Sequence, residues 1–257
     1  MWIRVYFISR YIGLASTEEA FSRLYFETAG IGNFLQIIYE LESSNNISRQ
    51  FSQLTIALRD VITAQLQGNN EAMNQSTERL YQSAQNFVSY LAAINPYIDK
   101  AEWESMMDLY VQYTIQEANS FITGNYSDDI ELFQKLTELT DRMGELFAEA
   151  MFNYINSGAK VIYPEDQPCV TYDQMNLIYT IRMFWFELVT WIRAYMLSRY
   201  RGIGNAGELK ARLKQIPEEY VGALRQIFGA DIETSLQLIN TYIDLIDALI
   251  TAQMAGN

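Results

Sequence analysis

A chain of 257 residues, 49% of them hydrophobic and with a mean hydropathy of -0.08, is long enough to bury one core or two and is neither disordered nor a small stapled domain. Its 31 acidic against 18 basic residues give a formal charge of -13, a field that repels phosphate backbones and anionic bilayers, so nucleic acid is not an expected partner. Histidine is absent, which removes imidazole acid-base chemistry, His-containing metal sites and every Ser-His or Cys-His nucleophile, while the single Cys169 reads as a loop thiol.

The opening stretch MWIRVYFISRYIGLA has the hydrophobicity of a signal peptide, yet Arg10 interrupts it and the segment recurs internally, so a core helix is the better reading. From Ser48 the apolar residues Phe51, Leu54, Leu58, Val61, Ile62 and Leu66 recur at three and four, and QGNN stops the run. A second helix passes through Met73, Leu80, Ala84, Phe87, Val88 and Leu91 and ends at INPYID, where Pro96 forbids simple continuation. A third runs from about Ala101 to Ile122, and a fourth from about Asp128 to Ile155 with Ser127 as its expected cap. Short links between long helices predict antiparallel packing.

Residues 1–156 are therefore expected to form a helical bundle, and 157–171, polar and proline-containing, a linker. Residues 172–257 predict a long aromatic helix from Tyr172 to Gly202, shorter helices around Ala206–Gln215 and Glu218–Phe228, and a terminal helix from about Ile232 to Ala255. Pro217 is placed in the first turn of the second short helix, a position that tolerates proline. The aromatic helix carries Arg182, Glu187, Arg193 and Arg199, charges that would be costly in lipid. No integral membrane association is expected, and the chain reads as soluble and cytoplasmic.

One helical segment is spelled twice. WIRVYFISRYIG (Trp2 to Gly13) and WIRAYMLSRYRG (Trp191 to Gly202) share eight identities in twelve, and ITAQLQGN (Ile62 to Asn69) matches ITAQMAGN (Ile250 to Asn257) in six of eight. Between them IGNFLQII (31–38) aligns loosely with VGALRQIF (221–228), and Arg23-Leu24 with Arg212-Leu213, at offsets of 188 to 190. The fold class that follows is all-α, an antiparallel helical bundle with an internally duplicated unit covering 2–69 and 172–257. Helical geometry puts Trp191, Tyr195, Ser198 and Gly202 on one stripe, with Arg193 and Tyr200 on another and Arg199 on a third. Identities on several sides suggest an enclosed helix whose arginines meet buried carboxylates, Glu187 among them. The structural or ligand-contact residues expected are accordingly Trp2, Arg4, Tyr6, Arg10 and Tyr11 in the first copy, and Glu187, Trp191, Arg193, Tyr195, Arg199 and Tyr200 in the second. The second copy has 19 helical residues before Trp191 where the first has only Met1. Either a partner chain supplies that missing wall or the reading frame begins further upstream.

Carboxylates offer the remaining route to a metal. Glu117, Glu145, Glu149, Asp60, Asp244 and Glu187 lean inward by periodicity, but the Glu-x-x-His pattern of di-iron bundles is impossible here, and DDIELFQ lacks the ligand alternation and glycine of a calcium loop. No catalytic, cofactor-binding or metal residue is expected, and no cofactor.

Three segments carry a resemblance: FWFELVTWIRAYMLS (184–198), AINPYIDKAEWESMMDLYVQYT (93–114) and GNYSDDIELFQKLTELTDRMGELFAEAM (124–151). They resemble an uncharacterised family of small all-helical proteins, common in spore-forming Gram-positive bacteria and sometimes labelled acetylglutamate kinase. The resemblance implies Glu-His-Val-x-Trp-Thr-Arg where this chain has Glu187 to Arg193, and histidines where it has Gln53 and Tyr110. With Leu188, Gln53 and Tyr110 in those places, this chain would be a relative that keeps the scaffold without the imidazoles. The kinase label finds no support, because there is no Gly-rich phosphate loop and no strand-helix alternation. The expected function is a structural or protein-interaction module without catalytic activity, working as a homodimer through the N-terminal or the long aromatic helix, or with a separate protein partner. The alternative is a binder or enzyme for a small apolar or aromatic molecule in an inter-helix pocket lined by Tyr, Phe and Trp.

Overall fold

The computed structural model describes residues 2–157 and 171–256, and every described element is helical. Among the described residues no helix is long and apolar enough to cross a membrane. The chain forms two compact units, Met1–Pro164 and Glu165–Asn257. Most of the stretch read as a linker, with Cys169 in it, lies outside the described residues.

Unit 1 holds α1 (Trp2–Tyr11), α2 (Thr17–Leu35), α3 (Leu41–Gln67), α4 (Asn70–Ile94), α5 (Lys100–Ile122) and α6 (Tyr126–Asn156). From α2 onward each helix packs on the next, and α1 docks on α2 and α5. The links are cut by local chemistry: Gly68 takes the left-handed conformation at φ 64° that closes α3, the Asn69 side chain accepts from the Ala72 amide, and the Asp99 carboxylate from that of Glu102. Buried Asn95 holds the α4–α5 link by donating to the Tyr39 hydroxyl (2.8 Å) and the Ala150 carbonyl (3.1 Å). Helix α2 lies close against α3 because Gly32 has no Cβ; one placed there would stand 2.8 Å from Ser48 Cβ. The core comes from the apolar stripes, with Leu54, Leu58 and Val61 of α3 meeting Leu80, Ala84, Val88 and Leu91 of α4 and Val111 of α5.

Two boundaries differ from expectation. Helix α3 starts at Leu41, before its apolar period begins at Phe51, since buried Ser44 and Ile47 already pack its first turns. Ser127 is no cap: Asn125 holds the cap position of α6, its side-chain amide donating to Asp128 (2.5 Å), and Ser127 lies within the first turn.

Unit 2 holds α7 (Tyr172–Arg201), α8 (Ala206–Glu219), α9 (Val221–Phe228), a 3-10 turn at Gly229–Asp231, and α10 (Ile232–Met254). A capping box of Thr171 and Gln174 opens α7, and Gly202 closes it at φ 65°, as Gly13 at φ 66° follows α1. Helix α8 packs on α7, and α10 packs on α7, α8 and α9. Pro217 sits buried in the last turn of α8 rather than opening the next helix. Its ring removes one backbone hydrogen bond, and the helix stops two residues later. Buried Leu213 and Ile216 keep that final turn in place through their packing.

Candidate functional site

The residues that the two similar segments share fall into two settings. In unit 1 the Arg4 side chain is buried where α1 meets α5 and α6. Its guanidinium donates to Glu117 and, through both terminal nitrogens, to the Asp129 carboxylate at 2.7 Å each. Asp129 sits in the first turn of α6, where free backbone N–H groups favour an anion. The Arg4 guanidinium also lies over the Phe133 ring, 4.7 Å from its centroid. Burial, the largest influence, raises the Glu117 pKa to about 7; the Arg4 charge opposes the rise and the Asp129 charge adds to it. One cation faces two carboxylates, so a proton on Glu117 leaves the cluster neutral. Burial also pushes the Tyr110 hydroxyl up, with the Glu117 charge adding to the effect.

The other repeated residues of α1 pack. Tyr6 is buried against Phe21 with centroids 5.5 Å apart, and Tyr11 sets its ring edge against Phe121. Arg10 reaches Glu18 at the surface, and half-buried Trp2 lies under the Arg23 guanidinium at 5.9 Å.

Unit 2 carries a different network. Arg212 is buried and joins Glu187 (2.8 Å) to Glu219 (2.6 Å), while the Tyr220 hydroxyl donates to the other Glu187 oxygen at 2.6 Å. Arg212 lies over the Trp191 ring at 5.8 Å, which is the pairing that Arg23 makes with Trp2. Asp247 gathers the Tyr195 hydroxyl (2.5 Å), Arg199 and Lys210 (2.7 Å). Hydrogen bonds from Lys210 and Tyr195 hold its carboxyl down to about 2. At the aligned places unit 1 has Tyr6, Phe21 and Arg59, with Arg59 over Phe21 at 4.6 Å. Tyr200 bonds Gln253.

Arg193 departs from expectation. It is exposed on α7 and, among the described residues, in no ion pair, because unit 2 has no described helices standing where α5 and α6 stand over Arg4. Arg193→Met is therefore expected to leave stability within about 0.5 kcal/mol of the parent in urea denaturation, as exposed substitutions do. A loss comparable to that of an Arg4 variant would show that Arg193 is enclosed after all.

Of the carboxylates that periodicity points inward, Glu117 and Glu187 are buried or largely so. Glu145 and Glu149 are exposed, Asp60 pairs with Arg59, and Asp244 is exposed and pairs with Lys214 and Lys210. Among the described residues no group of acidic side chains and cysteine is placed to hold a metal ion. Sequence reasoning missed Asp129, Arg212, Lys210 and Asp247. Only the alignment of Arg23 with Arg212 offered a signal for any of them. No family model, no curated protein and no solved structure matches this chain.

Proposed function

We propose that the chain is a structural and protein-interaction module, without catalytic activity, that pairs with a second copy through the outer face of α10. The observation that carries this reading is the row Leu238, Tyr242, Leu245 and Leu249, each between 50% and 65% exposed. The spacing of four, three and four is that of a coiled-coil seam. Asp244 and Asp247 turn to Lys210 and Lys214 of α8, so the outer face, completed by Thr241 and Ala248, bears no charge between Leu238 and Leu249. A contiguous uncharged apolar row is what an association surface presents. In the register that sets Ile62–Asn69 on Ile250–Asn257, the counterparts of Tyr242, Leu245 and Leu249 are Leu54, Ala57 and Val61, all buried in the unit 1 core with residues of α4. The face that α3 covers within its own unit is the face that α10 leaves open. The two Trp-Arg stacks support the duplication on which that register rests.

An uncharged seam pairs with its own twofold copy without like-charge repulsion. Sedimentation velocity on the full chain at micromolar concentration is expected to find a dimer. Leu245→Lys with Leu249→Lys should give a folded monomer whose thermal melt by circular dichroism no longer depends on protein concentration. A parent that sediments as a monomer throughout rejects the pairing.

A further inference from the structure

Within unit 1, helices α2 to α6 surround a cavity of about 330 Å³. Phe51, Phe87, Trp103, Tyr110 and Phe147 supply aromatic walls, and no lining side chain is charged. The Phe51 and Phe87 rings stand 5.6 Å apart, and Trp103 meets Phe147 edge to face at 6.0 Å. Protein interiors hold few voids larger than a water molecule, and an apolar one stays dry and takes up apolar guests. The volume lies at the small end of the range for ligand sites, roughly 300 to 1,000 Å³. At the cavity's rim α6 carries Gly144, which is exposed and where an added Cβ would meet nothing within 4 Å. Exposed Ile31 of α2 also lines the opening.

The chemistry of the walls selects the guest. An anion would find no cation there, since no Lys or Arg lines the cavity. The Thr140 hydroxyl already donates to the Leu136 carbonyl at 2.9 Å, so most of the contact falls to the rings. We propose that this cavity is a binding site for one neutral, ring-bearing apolar molecule, held between Phe51, Phe87, Trp103 and Phe147.

The test uses the full chain and the neutral fluorophore N-phenyl-1-naphthylamine, with 1-anilinonaphthalene-8-sulfonate as its anionic counterpart. Saturable binding of the neutral probe at one site per chain is expected, with the sulfonate at least about tenfold weaker. Two plugs, Gly144→Leu and Thr140→Leu, each place bulk at the cavity on a helix that tolerates leucine. They should lower affinity for the neutral probe by at least about tenfold without lowering the thermal melt. Leu245→Lys with Leu249→Lys should leave that affinity unchanged, which separates the cavity from the outer face of α10. Binding that both plugs leave intact, that disappears with the α10 variant, or that favours the sulfonate overturns the assignment. An absence of saturable binding does the same.

Discussion

Arg4→Met is expected to destabilise unit 1 by about 3 to 5 kcal/mol, the range seen when one partner of a buried ion pair is removed and the others are left behind. Methionine fills much of the arginine volume, so the loss is electrostatic more than a matter of packing. Glu117 and Asp129 would remain buried side by side with no cation between them. Without the Arg4 charge that opposes the rise, Glu117 would hold its proton more tightly, so the variant should be least stable at high pH. Urea denaturation of the full chain checks this, read as two transitions where the units melt apart. The unit 1 transition should move to lower urea while that of unit 2 stays. Removing the whole cluster, Arg4→Met with Glu117→Leu and Asp129→Leu, is expected to recover much of the loss, because no ion is then left in the interior. A single-variant loss below about 1 kcal/mol, or a triple variant worse than the single, would sink the account of a buried triad.

Arginine 4 also marks what the sequence disclosed and what it withheld. Local signals located the helices well: Gly68, Asn69, Pro96 and Gly202 punctuate the chain where helices end, and the three-and-four spacing of Leu54, Leu58 and Val61 oriented α3. The repeated Trp-to-Gly segment was equally plain, yet it did not reveal that Arg4 and Arg193 would meet opposite fates. Burial of Arg4 depends on Glu117 and Asp129, more than 100 residues away along the chain. Periodicity tells which face of a helix is apolar and is silent about which helix arrives to cover it. The same limit explains Arg212, whose partner Glu187 lies 25 residues away on another helix. Pro217 failed for a different reason. Proline is common in a first helical turn, and tertiary packing of Leu213 and Ile216 outweighed that preference by extending α8 through it. The cavity was invisible for a third reason, since its lining comes from five helices at once and the gap depends on how they diverge.

Unit 1 is expected to lose stability as pH rises from about 5 to 8, contrary to the usual behaviour of paired carboxylates. The Glu117 pKa is 4.5 for a free side chain and about 7 in the fold. The folded state therefore binds the proton more tightly than the unfolded state does. The resulting stabilisation is complete below the unfolded value of 4.5 and is lost as pH climbs through about 7. A shift of this size corresponds to as much as about 3 kcal/mol. Its main cause is burial, and the Asp129 charge adds to it: with one guanidinium facing two carboxylates, ionising Glu117 puts an uncompensated charge in the interior. In unit 2 the sign is reversed and the window lower. Asp247 is held at about 2 against an ordinary 3.8, so its contribution is present above 3.8, is lost as pH falls through about 2, and is flat over the range in which Glu117 titrates. Glu117→Gln keeps a neutral group of the same shape against Arg4. Urea midpoints taken at intervals from about pH 5 to 8 should fall for the parent and stay level for this variant, which becomes the more stable protein above about pH 7. A parent midpoint that rises with pH, or a Glu117→Gln variant that retains the parent slope, would place the titrating group elsewhere.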